Sequence, residues 1–211
     1  MLPLVNYLIA HEASLPPIRA AMYEYILAGN GLFVRGQREG LRAMLPVAEC
    51  TVRGLAHVQP FVELTYPRIS AGLVSQMLQQ SLAAKDGRGN PVEALFHLSW
   101  DGAHWQMETP AQDQGPAHVQ PLSAAIGSSY AQALIEVHSH AGFSPEWSLL
   151  DDLEETGFRL FGVLGSIFTE PALRVRVGLY GHRWDIPGGV IFDSLPGIVD
   201  SVALERENGK A

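Results

Sequence analysis

Residues 133–151 read Ala-Leu-Ile-Glu-Val-His-Ser-His-Ala-Gly-Phe-Ser-Pro-Glu-Trp-Ser-Leu-Leu-Asp, the stretch with the strongest structural signal in the chain. Its opening, Ala133 to His140, is apolar enough to be a strand entering a core. Its end, Ser148 to Asp151, sets a serine three residues before an acid, which is how a helix starts. That helix is expected over Ser148–Glu155, closed by Gly157. On a strand, residues i and i+2 point to one face, so His138 and His140 can converge on one ion. Asp151, in the first helical turn beside Ser148, adds a carboxylate. Two imidazoles and one carboxylate suit tetrahedral zinc with one position left open.

Upstream, Pro91-Val-Glu-Ala-Leu-Phe-His-Leu reads as a strand in which Glu93 sits among apolar residues. An acid there is out of place unless something uses it, and a water-activating carboxylate is typically found on an element other than the ligands' own. Asp101-Gly102 marks a hairpin between strands over Val92–Trp100 and Ala103–Glu108. Before them, Ile69, Leu73, Met77, Leu78 and Leu82 trace a helical face over Arg68–Ala84. Gln112–Pro121 reads as a polar loop, and Ser123–Gln132 stays undecided between loop and helix. Further strands are expected at Phe161–Gly165, Leu173–Tyr180 and Val190–Phe192. The first 66 residues read as a short helix over Ile18–Leu27, stopped by Gly29-Asn30-Gly31. Strands then follow at Gly31–Arg35, Leu41–Val52 and Val58–Leu64. The expected fold class is α+β, a mixed sheet flanked by helices, in three segments: an N-terminal helix-plus-strand extension over 1–66, a compact domain over 67–190, and a C-terminal strand and tail over 191–211.

Composition narrows the function classes. The chain has 211 residues, 47% of them hydrophobic and 17% charged, which is globular and not disordered. Lys and Arg number 14 against 22 Asp and Glu, a net charge of −8, so nucleic acid lacks its main driving term as a ligand. No apolar run approaches the roughly 18 residues that span a bilayer, and the first residues lack the basic start of a secretory signal, so no membrane association and a cytoplasmic location are expected. The single cysteine, Cys50, rules out an internal disulfide and a multi-cysteine metal cluster, leaving His and carboxylate as ligands. Its apolar surroundings predict a buried filler. His11, His57, His97, His104, His118 and His182 have no partner at ligand spacing and read as surface or core residues. No Gly-x-Ser-x-Gly, P-loop or His-Glu-x-x-His occurs, so serine hydrolase, nucleotide hydrolase and thermolysin-like chemistry have no support.

The series Glu93, then His138-Ser139-His140, seven residues, and Ser148-Leu149-Leu150-Asp151 resembles the signature of the JAMM, or MPN-plus (JAB, Mov34/PAD-1), zinc metalloproteases. The resemblance covers residues 67–190 and implies a JAMM/MPN-like, cytidine-deaminase-like core. It implies that His138, His140 and Asp151 hold Zn²⁺, that Glu93 passes a proton from water to the leaving amine, and that Ser148 hydrogen-bonds the oxyanion. The implied activity is cleavage of a peptide or isopeptide bond at the C-terminal tail of a ubiquitin-like protein or its conjugate. The layout is similar to that of bacterial members of the so-called PRTRC system, which implies an E1-like protein as a further partner. Two features depart from the pattern. Ala141 stands where the family often has proline, and Glu136 shares the strand face of the two histidines. Glu136 has three readings: an acceptor for an imidazole N–H, a rival base, or a solvated end-of-strand residue. Two other functions share these residues: a non-catalytic MPN-like scaffold and a small-molecule amide hydrolase.

Overall fold

The computed structural model describes residues 2–209. The chain is α+β, with mixed sheets and few helices, and divides into two compact units. The first holds the chain through Tyr66 together with Thr156–Phe158 and Val177–Trp184. The second holds Pro67–Glu155, Arg159–Arg176 and the chain from Asp185 on.

In the first unit, β1 (Val5–Ile9), β2 (Tyr23–Ala28), β3 (Gly31–Arg38), β4 (Leu41–Ala48) and β5 (Phe61–Leu64) form a sheet in sequence order. β1 runs parallel to β2, and the other pairs are antiparallel. Residues 18–27 are not the expected helix. The segment Tyr23-Glu24-Tyr25-Ile26-Leu27-Ala28 has a period of two, with Glu24, Ile26 and Ala28 buried and the residues between them turned outward. Ile26 and Ala28 join Ala10, Phe33, Met44 and Val58 in one apolar cluster. Glu24 faces Arg35 across the ladder, and that pairing fixes the strand. Cys50 is exposed, correcting the expected filler, because the chain leaves the sheet after Ala48.

The second unit opens with α1 (Ala71–Ala83), then β6 (Leu95–Trp100) and β7 (Trp105–Glu108), the hairpin expected at Asp101-Gly102. Gln112–Pro121 is not a loop: β8 (Gln112–Gly115) and β9 (His118–Pro121) pair as a second hairpin. After the short α2 (Ser129–Gln132) comes β10 (Ile135–Ser139), then α3 (Leu149–Glu154), β11 (Phe158–Gly165), β12 (Ala172–Leu179) and β13 (His182–Ile186), of which Phe158, Val177–Leu179 and His182–Trp184 are counted in the first unit. The sheet order is β13-β12-β11-β10-β6-β7. β10 is antiparallel to β6 but parallel to β11, and a parallel pair needs a crossover. Residues 140–157 are that crossover, so Ser148 and Asp151 ride on the segment that returns the chain beside the histidine strand.

The expected strand at Val190–Phe192 is instead the end of a single helical turn over Gly188–Val190, followed by an isolated bridge from Phe192 to Ile69 that buries both. Beyond it, β14 (Val199–Asp200) is a two-residue strand on β12, and α4 (Ser201–Glu207), capped by the Asp200 carboxylate, replaces the expected tail. Among the described residues no helix is long and apolar enough to cross a membrane.

Candidate metal centre

His138 and His140 leave the C-terminal end of β10 on one face, and Asp151 faces them from the first turn of α3. The two histidine Nε2 atoms are 3.3 Å apart. Asp151 Oδ1 lies 3.1 Å from His138 Nε2, and Oδ2 lies 3.9 Å from His140 Nε2. Zinc bonds of about 2.0–2.1 Å at tetrahedral angles would set neighbouring donors about 3.3–3.4 Å apart, so the three groups lie close enough, in kind and spacing, to bind a metal.

Two of the three groups, His140 and Asp151, are aimed by a second contact. His140 Nδ1 lies 2.8 Å from the Ser144 carbonyl. A carbonyl only accepts, so Nδ1 carries the hydrogen and Nε2 keeps its lone pair for the cluster. Ser144 can reach that position because residue 165 is glycine: a Cβ there would lie 2.3 Å from the Pro145 nitrogen. Asp151 is held by the capping box of α3. Its Oδ2 accepts the Ser148 N–H at 2.6 Å, and its own N–H donates to Ser148 Oγ at 3.1 Å. The box leaves Oδ1 turned to His138.

Glu93 is not on a strand; it sits two residues before β6. There its peptide is clamped by the second hairpin: its N–H donates to the Gly115 carbonyl at 2.9 Å, and Gln114 Nε2 donates to its carbonyl at 2.6 Å. Ser139, between the two histidines, points to the opposite face of β10 and is fully buried. Its Oγ accepts the Ala94 N–H at 3.0 Å and its N–H donates to the Ala94 carbonyl at 2.9 Å, pinning the Glu93 segment to the histidine strand. Alternation along β10 marks Ser139 in the sequence; nothing there marks Gly165 or the hairpin glutamines.

Glu93 lines the same cleft as His138, His140, Ser148 and Asp151, a space of about 290 Å³ with apolar walls from Val119, Phe143, Trp147 and Leu150. Trp147 is fixed from two sides, by Arg176 lying 3.9 Å over its ring and by a hydrogen bond to Asp185. Burial pushes the Glu93 carboxyl up to about 7, against the pull of His138. Asp151 moves the other way: burial would raise it, but hydrogen bonds with His138 and Ser148 hold it well below the carboxylate range. Burial acts to lower His138, and Asp151 more than reverses that. His140 is lowered by burial and by the neighbouring His138.

Glu136, whose role the strand pattern left open, also reaches the cleft, but the groups nearest its carboxylate are His97 Nε2 and Arg159 Nη1, each 3.5 Å away. It is therefore neither a solvated strand end nor, among the described contacts, an acceptor for His138 or His140. His97 is buried, with Nδ1 bonded to Ser129 Oγ at 2.8 Å. No protein-family model matches the chain, and no curated protein matches it in sequence, so the chemistry rests on the geometry itself.

Proposed function

We propose that this protein is a zinc-dependent metallopeptidase of the JAMM type, acting on a peptide or isopeptide bond at the C-terminal tail of a ubiquitin-like protein or its conjugate, with an E1-like protein as a further partner. One observation carries the reading: a single cleft holds three metal-ligating groups and a buried glutamate whose carboxylate takes no hydrogen bond from the described residues.

His138 Nε2, His140 Nε2 and Asp151 Oδ1 would hold the ion. When bound, zinc supplies Lewis-acid polarisation and brings water to a pKa of about 7. Glu93 accepts a proton from the attacking water at its carboxylate and delivers it to the leaving amine. Ser148 Oγ accepts from the Asp151 amide, which leaves its O–H free to donate to the oxyanion. The apolar walls give an extended chain a surface to lie against.

Metal analysis of protein prepared without chelator should find about one zinc per chain, and His138→Ala should abolish it with the fold intact. Glu93→Gln should keep the zinc and slow hydrolysis of a ubiquitin-like protein fused to a reporter by at least about a hundredfold. A zinc-loaded Glu93→Gln protein that turns over normally would remove Glu93 from the chemistry. A wild-type protein that binds zinc but cleaves only small amides would move the reading to a small-molecule hydrolase.

A further inference from the structure

The outer strands of the two large sheets differ in one respect. β5 carries Glu63, β7 carries Glu108, and β13 carries Arg183 and Asp185, whereas β1 reads Val-Asn-Tyr-Leu-Ile. Charged residues on an edge strand discourage pairing with another chain, and β1 alone among these four lacks one. Residues 2–10 contain no charge at all.

The peptide groups of β1 are also aimed for pairing. Leu4 O accepts the Met22 N–H at 3.0 Å, and Ala10 N–H donates to Leu27 O at 2.9 Å. Alternation along the strand then turns Asn6 and Leu8 toward β2 and sends the N–H and C=O groups of Val5, Tyr7 and Ile9 off the sheet. Of these, only the Ile9 carbonyl has a described backbone partner, the His11 N–H at 3.1 Å. Tyr7 is 75% exposed and Ile9 52%, yet the Tyr7 ring is held in place, stacked on Tyr25 at 5.7 Å. Tyr25 is itself fixed through its hydroxyl, 2.9 Å from His182 Nε2. A surface tyrosine ordered before contact loses little entropy on contact.

From this we infer that β1 is a self-association strand: two copies of the chain pair antiparallel through β1 about a two-fold axis at Tyr7, joining their five-stranded sheets into one. The occupant is a second copy because the pairing complements itself. Tyr7 exchanges both bonds with the Tyr7 of the second copy, and the Ile9 N–H meets the Val5 carbonyl. A chain of net charge −8 repels its copy over most of its surface, so the uncharged edge is where two copies can meet.

Sedimentation equilibrium on the full chain tests this. The wild type should run at twice the chain mass. Tyr7→Pro removes an outward N–H and leaves the β1–β2 ladder its bonds, and should weaken the dimer at least about tenfold with unchanged far-ultraviolet circular dichroism. Should that variant unfold, Ile9→Lys, which sets a charge on each side of the dyad, should give the same weakening. In a Cys50→Ser background, Tyr7→Cys should form an intermolecular disulfide under mild oxidation, since Cα atoms in such a pair lie about 5.5 Å apart. A wild type that stays monomeric, a dimer that folded Tyr7→Pro or Ile9→Lys leaves at full strength, or a Tyr7→Cys variant that does not cross-link overturns the assignment.

Discussion

Glu24 in the first unit and Glu93 in the second are both almost completely buried, at 0% and 4% exposure, and their carboxyls shift in opposite directions. Burial acts to raise Glu24, but its Oε1 accepts from the Arg19 N–H and Asn6 Nδ2, and its Oε2 from Arg35 Nε and Nη2. Those bonds outweigh the loss of water and hold it below the ordinary glutamate value. Glu93 has no such bonds among the described residues; its peptide is clamped and its carboxylate is left to the cleft. A buried carboxylate with every lone pair engaged ties strands together, whereas one whose backbone is fixed and whose oxygens are unclaimed is available to something that enters. The same residue type at the same depth thus serves opposite ends.

The contrast can be broken by experiment. Glu24→Gln should cost about 3–5 kcal/mol in denaturant unfolding, because it leaves Arg35 buried without its counter-charge. A loss under about 1 kcal/mol would mean that the Glu24 pair is replaceable and the contrast empty. Glu93→Gln should behave differently in metal-free protein. The native carboxyl titrates near 7 and the unfolded one near its ordinary 4.5, so between those values the native state holds the extra proton and stability falls as pH rises. Relative to Glu93→Gln, the wild type should lose about 3 kcal/mol between about pH 4.5 and about pH 8, and parallel pH profiles would show that Glu93 is solvated after all. Gly165→Ala should push Ser144 away from His140 and weaken zinc binding about ten- to a hundredfold, read by competition with a chelator. Smallest, Ser148→Ala should destabilise the protein by about 1 kcal/mol through the lost cap, measured by thermal unfolding without metal.

The clustering of His138, His140 and Asp151 was legible in the sequence because its parts are local. Two histidines on one strand face and an acid at a helix start are each fixed by periodicity within a few residues, and only the crossover that joins them is tertiary. The second hairpin was not legible. Gln112-Asp-Gln-Gly and His118-Val-Gln-Pro bury little, and they pair because Gly115 and the two glutamines bond the Glu93 segment, a contact with no trace in hydrophobic pattern. The first unit misled for another reason. In Tyr23–Ala28 apolar side chains occupy both faces, so neither the helical nor the strand period dominates, and the buried position that settles it is a charged one. Cys50 and Val190–Phe192 failed at boundaries, where apolar residues continue past the end of the ladder.

The Ser139–Ala94 pair also fixes a length. One main-chain bond and one hydroxyl bond join the histidine strand to the segment that carries Glu93, so the span between the histidines and the carboxylate is set by backbone on both sides. With the anchor points immobile, the reach of the acid becomes a matter of how many methylenes it has. Aspartate at position 93 would stop about one carbon–carbon bond short, and nothing behind it can move forward to make up the gap. The reach of position 93 is read off a ruler whose zero is a serine hydroxyl.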